Sequence, residues 1–70
     1  MHKYDLSIII PCKNEEENIL NTINSLTKII SSIDFEIIII NDFSSDNTFK
    51  LVRNFIKKKK NIKIYNNITP

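Results

Sequence analysis

Asp42 closes a run in which only apolar side chains are needed, Phe35-Glu36-Ile37-Ile38-Ile39-Ile40-Asn41-Asp42, with Ser44, Ser45 and Asp46 close behind. An earlier apolar run, Leu6 to Ile10, gives way in the same manner to Pro11-Cys12-Lys13-Asn14-Glu15. Packing does not require a charge at a strand tip. A carboxylate there is placed to accept hydrogen bonds from ribose hydroxyls or base N–H groups, as it does beyond the second strand of open α/β sheets. The chain contains no glycine, so the glycine-rich turns that cradle phosphates are excluded. A diphosphate bound here needs another neutraliser, and a divalent metal held by carboxylates further along the chain is the expected one.

Positioning these groups takes two strands and the turns that follow them. Leu6 to Ile10 reads as a short buried strand closed by Pro11, which cannot donate to a ladder. Asn14 followed by Glu15, Glu16 and Glu17 predicts a helix start, with Asn14 as N-cap, Glu17 in the reciprocal capping position and three carboxylates at the positive end of the dipole. Ile19, Ile23, Leu26, Ile30 and Ile33 recur at steps of four and three, which predicts one apolar stripe on a helix reaching about Ser32. Phe35 to Ile40 reads as a second strand, its unbroken apolar run suiting parallel pairing. Ser44, Ser45 and Asp46 offer caps for a second helix. That helix carries Phe49, Val52 and Ile56, with Leu51 and Phe55 beside them, and a lysine-rich tail at the negative end of its dipole. Ile62 and Ile64 alternate with Lys63 and Tyr65 in a third strand.

The order is β-α-β-α-β, an α/β class with a Rossmann-like, parallel, three-stranded sheet. Two right-handed crossovers travelling the same way put both helices on one face. The isoleucine-rich opposite face is then bare, with a larger apolar patch than soluble monomers usually expose. Residues 1–70 are therefore expected to be the N-terminal piece of a larger domain, or to be covered by another chain. If the first strand is internal to that domain, Pro11 to Glu15 and Asn41-Asp42 face one another across the crevice beyond the strands' carboxyl ends.

Composition bounds the remaining classes. Seventy residues with 41% hydrophobic and 26% charged side chains suit one small globular unit, and a chain of this size buries only about 60% of its unfolded surface. The formal charge is +2, much of the positive charge standing in Lys57 to Lys60. Such a block reads as a solvated helix end, with no nucleic-acid partner expected. The single cysteine, Cys12, makes no internal disulfide and suits a cytoplasmic setting. Neither a secretory leader nor a membrane span is expected from the apolar runs, and Asn67-Ile68-Thr69 matches the glycosylation pattern by chance.

The two polar-tipped motifs, "LSIIIPCKNEEENI" and "FEIIIINDFSSDNT", resemble the opening of the family-2 glycosyltransferases, inverting enzymes of the GT-A fold that transfer a sugar from a nucleotide-sugar donor. The family's usual pattern is a hydrophobic strand, Pro-x-Tyr-Asn-Glu, a helix, and a strand ending Asp-Asp-Gly-Ser-x-Asp-Gly-Thr, so the resemblance spans nearly the whole chain. Polyprenyl-phosphate sugar transferases, such as dolichyl-phosphate mannose synthase, share the Asn-Glu-x-Glu-Asn run found from Asn14 to Asn18. The resemblance implies that Pro11, Lys13 and Glu15 line the nucleobase pocket and that Asp42 binds the nucleoside. Lys13 departs from the commoner tyrosine, which removes a stacking ring, and Asn41 replaces the first aspartate of the pair. Phe43 and Asn47 stand where glycines are usual, so the turn must be built without glycine's freedom.

The family's Asp-x-Asp metal motif and catalytic base lie further downstream and have no match here. The resemblance thus implies a nucleotide-binding segment, truncated before its metal site and inactive alone. In the full-length enzyme it implies a divalent Mg or Mn ion and a lipid-phosphate or saccharide acceptor, with membrane association only through sequence outside this chain. Simpler roles stand beside these. Glu15 can serve as a helix-start carboxylate, Asp46 and Ser44 as caps, Lys13 as a solvated side chain and Cys12 as a packing residue. The whole segment can equally act as a non-catalytic nucleotide-binding or assembly module.

Overall fold

The computed structural model describes residues 3–67. Strand β1 (Leu6–Cys12), helix α1 (Ile19–Ile29), strand β2 (Phe35–Asp42), helix α2 (Thr48–Phe55) and strand β3 (Ile62–Asn67) follow one another as expected. The sheet order is β1-β2-β3 and both pairings are parallel. This is the Rossmann-like β-α-β-α-β arrangement that the resemblance implies for the N-terminal part of a GT-A domain. Ile68 and Thr69, needed for the glycosylation pattern, lie outside the described residues.

Side-chain alternation assigns the two faces. Phe35, Ile37, Ile39 and Asn41 of β2 are buried, while Glu36, Ile38 and Ile40 are half-buried and Asp42 is exposed. The register Ile8↔Ile37 and Ile37↔Ile62 continues each face across the sheet. The covered side packs Cys12, Phe35, Ile37, Ile39 and Ile62 against Ile19, Ile23, Ile30, Val52 and Ile56 of the helical layer. Both helices therefore lie on one side, as successive right-handed crossovers require. On the other side Ile9 is 65% exposed and Tyr65 53% exposed, with Pro11, Ile38 and Ile40 between them. The bare apolar face inferred from handedness is present among the described residues.

Strand β1 runs two residues beyond its expected end and passes through Pro11, which lies opposite Ile40. The Leu6 amide donates to the Asp34 carbonyl at 3.2 Å, so amides at even positions of β1 face β2 and those at odd positions face outward. Pro11 occupies an odd position. Its missing N–H costs the ladder nothing, the placement that lets proline sit on an outer strand.

Helix α1 departs from expectation at both ends. The chain starts to wind at Glu15, whose carbonyl accepts the amides of Asn18 and Ile19 at 3.0 and 2.8 Å, yet the regular helix begins at Ile19. Asn14 is not its N-cap and no acidic residue lies in its first turn. Asn14 instead adopts a left-handed conformation, φ 52°, because its side chain is engaged elsewhere. The helix stops at Ile29 rather than near Ser32, which leaves Ile33 off the stripe and 43% exposed. Ile19, Ile23 and Ile30 are buried and Leu26 is partly so, as the spacing predicts.

The layering yields a direct test. Ile39, fully buried, should cost about 2–5 kcal/mol on truncation to alanine, a large share of a small domain's stability. Ile9→Ser on the open face should stay within about 0.5 kcal/mol. Urea unfolding measures both, and equal losses would show that the second face is covered in solution.

Candidate functional site

Parallel pairing carries every strand's carboxyl end to the same edge of the sheet, where Cys12 lies opposite Asn41, and Asp42 opposite Asn67. The segments after β1 and β2 meet there and are fastened by side chains. Three successive amides of the first segment donate into the second. Asn14 N–H reaches Ser44 Oγ at 2.9 Å, Glu15 N–H reaches Thr48 Oγ1 at 2.9 Å, and Glu16 N–H reaches Asp46 Oδ2 at 3.2 Å. In return Asn14 Oδ1 accepts the Ser45 amide at 2.7 Å and the Asp46 amide at 3.4 Å. Short polar side chains that bond to backbone are suited to this work. They hold the turn that leads into α1, while the first amides of the helix itself are met by backbone carbonyls, Ile19 N–H by Glu15 and Thr22 N–H by Asn18.

Asp46 also accepts from Thr48, through the amide at 3.0 Å and through the hydroxyl. It thus caps the start of α2, as its position suggests. Ser44 does not cap α2. Its hydroxyl donates to Asn41 Oδ1 while its oxygen takes the Asn14 amide. The Thr48 hydroxyl bond, joined by the amides of Thr48 and Glu16, holds the Asp46 carboxyl below its ordinary value of 3.8. A depressed carboxyl stabilises the fold fully above its unfolded value and loses that contribution as pH falls through the lower folded value.

Asn41 is buried at the tip of β2. Its oxygen accepts the Ser44 hydroxyl and, at 3.9 Å, the Cys12 thiol, while its Nδ2 donates to Asn66 Oδ1 at 2.7 Å. A carboxylate here could not donate to Asn66 and would carry a buried charge, which is costly, so the amide fits where the family's pattern has aspartate. Burial pushes the Cys12 thiol up, and the nearby carboxylates of Glu15 and Asp46 push it the same way. Cys12 accordingly packs as a protonated thiol.

The four residues expected to bind nucleotide all lie at this edge, and all are exposed. Pro11 ends the open face of β1, Lys13 and Glu15 sit in the fastened segment, and Asp42 is the outward tip of β2. Asp42 Oδ1 accepts Asn67 Nδ2 at 3.1 Å, so the end of β3 joins the rim. Sequence reasoning missed Asn66, Asn67 and the fastening roles of Asn14 and Thr48. The one available signal was the density of short hydrogen-bonding side chains in Ser44-Ser45-Asp46-Asn47-Thr48. Phe43 takes the left-handed turn, φ 55°, in the place where the pattern has glycine.

Acidification should expose the fastener. The wild-type chain is expected to lose stability as pH drops below about 3.8, whereas Asp46→Ala starts less stable at neutral pH and shows a flatter acid limb. Thermal melting from pH 7 to pH 2 checks this, and parallel acid limbs would remove Asp46 from the account.

The model of glycosyl transferase family 2 matches residues 7–69. An uncharacterised glycosyltransferase of Synechocystis sp. is 38% identical over 64 residues, covering 89% of this chain and 20% of that protein. An uncharacterised protein of Methanocaldococcus jannaschii is 42% identical over 57 residues, covering 81% of this chain and 23% of its own length. The chain therefore spans about a fifth of the length of these curated relatives. With all of its two motifs but Leu6 inside the matched region, the chain belongs to glycosyl transferase family 2.

Proposed function

We propose that this chain is the nucleotide-sugar-binding segment of an inverting glycosyltransferase acting on a lipid-phosphate or saccharide acceptor. The observation that carries the reading is the gathering of Pro11, Lys13, Glu15 and Asp42 at the carboxyl edge of two parallel strands whose following segments are fastened together. Asp42 would accept the ribose hydroxyls or a base N–H, a charge-assisted bond stronger than a neutral one. Pro11, Lys13 and Glu15 would border the base. The Asn14 to Asn18 run supports a lipid-phosphate acceptor through its likeness to the polyprenyl-phosphate branch.

In the reaction, an acceptor oxygen forms a bond to the sugar's anomeric carbon as the bond to the nucleotide's phosphate oxygen breaks, and the nucleoside diphosphate leaves with the electron pair. The described residues hold the departing nucleotide and supply no group at the reacting carbon. Among them no three His, Cys, Asp or Glu side chains gather closely enough to hold a metal ion, and Asp46 is engaged by Thr48 and Glu16. The divalent ion expected of the family therefore does not fit among the described residues. We assign the metal and the base that accepts a hydroxyl proton to sequence outside residues 1–70. Among the described residues no helix is long and apolar enough to cross a membrane, and the lone thiol supports a cytoplasmic site of action.

A second reading, an assembly module of the same fold, is favoured by the bare face bearing Ile9 and Tyr65. Native mass spectrometry addresses it, since a stable self-associated species is its expected signature.

Titration of the protein with UDP and GDP, followed by amide chemical shifts, tests the leading reading. Asp42→Ala should weaken binding of at least one of them by roughly tenfold or more, the value of a hydrogen bond to a charged group. Unchanged affinity would refute the role given to Asp42.

A further inference from the structure

Phe43 is held in an uncommon state. Its backbone lies at φ 55°, in the left-handed region that costs a residue with a Cβ roughly 1–2 kcal/mol. A residue that is still 45% exposed recovers only part of that cost by burial. The conformation persists because its neighbours are pinned. Asp42 pairs with Asn67 on one side, and on the other the Ser44 hydroxyl bonds to Asn41 while its oxygen takes the Asn14 amide. Strain of this kind collects at ligand sites, where the surrounding structure over-determines it.

The place of the ring is equally specific. Phe43 follows Asp42 directly and lines a depression of about 200 Å³ at the carboxyl edge of the sheet, shared with Asn41, Ser44, Phe49, Asn66 and Asn67. Its lining combines two aromatic rings with side-chain amides, groups that stack on a planar heterocycle and hydrogen-bond its edge. Lys13, on the neighbouring segment, has no ring to offer.

We infer that the exposed Phe43 residue is the stacking platform for the base of the bound nucleotide, with the exposed side-chain amide of Asn66 at the end of β3 facing the base edge and the buried Asn41 holding Asn66 in place. This rests on the nucleotide-binding reading above and assigns within it the residue that holds the base. Phe43 is a binding residue in this scheme and takes no part in bond making. The left-handed turn aims the ring, and glycine at the same position would form the turn with less strain but leave the base unsupported.

The test separates base from ribose. Phe43→Gly is the informative variant because glycine takes φ 55° without penalty, so the substitution should keep the fold, as amide spectra will show. Binding of UDP, GDP and the base-free probe ribose 5-phosphate is measured for wild type, Phe43→Gly, Phe43→Trp and Asp42→Ala. Phe43→Gly should weaken UDP and GDP by about tenfold, within the range of aromatic–base stacking, and leave ribose 5-phosphate unchanged, while Phe43→Trp retains nucleotide binding. Asp42→Ala should weaken nucleotide and probe together. Nucleotide affinity in Phe43→Gly equal to wild type would overturn the inference, as would equal loss of all three ligands, which would make the ring a support for the loop. In either case a loss in Asp42→Ala leaves the nucleotide-binding reading standing. If wild type binds neither nucleotide, both readings fall.

Discussion

A parallel ladder brings its two carboxyl ends to one edge, and the register of that ladder decides which side chains arrive there facing which way. Seven rungs from Leu6↔Phe35 to Cys12↔Asn41 set it here. Because side chains alternate strictly along a strand, a slip of one residue would reverse every assignment on β2. Asp42 would then turn into the layer under the helices, and Asn41 would turn outward. In the observed register the amide sits where three polar partners meet it, and the carboxylate stands in water beside the strand tips. The apolar alternation Phe35, Ile37, Ile39 against Ile19, Ile23, Val52 and Ile62 holds that choice, so the core and the rim depend on the same rungs.

The chain solves without glycine a turn that its family usually builds with it. Side-chain oxygens of Ser44, Asp46 and Thr48 receive successive amides of the preceding segment, and Asn14 answers with its own oxygen. Two residues pay with positive φ, and they are not equivalent. Asn14 tolerates this region because its short polar side chain bonds locally, whereas an aromatic residue such as Phe43 is an outlier. Among the described residues no buried side-chain polar atom lacks a partner.

How far this could be read from residues alone follows from the range of each interaction. Strand and helix order, the parallel sheet and the one-sided helical layer follow from periodicity and crossover handedness, both of which act locally or obey general chirality. The start of α1 was misread for a physical reason. Asn14, Glu15 and Glu17 have the composition of a capping box, but the Ser45 and Asp46 amides take the Asn14 oxygen, and no local pattern reports partners some thirty residues away. Ser44 was misassigned for the same cause. Asn66 and Asn67 escaped notice because a strand end gains meaning only from what lies opposite it, here Asn41 and Asp42. The exposed position of Asp42 at the strand tip was legible because nothing in strand packing calls for a carboxylate at that point.

Pro11 has a consequence for whatever lies beside β1. The outward amides of Ser7 and Ile9 can each hold a rung of a further neighbour, but at Pro11 the rail is missing its donor. A strand laid along this edge would find donors at Ser7 and Ile9 but at Pro11 only a carbonyl acceptor, so its pairing would be one hydrogen bond poorer at the carboxyl end, just before Lys13.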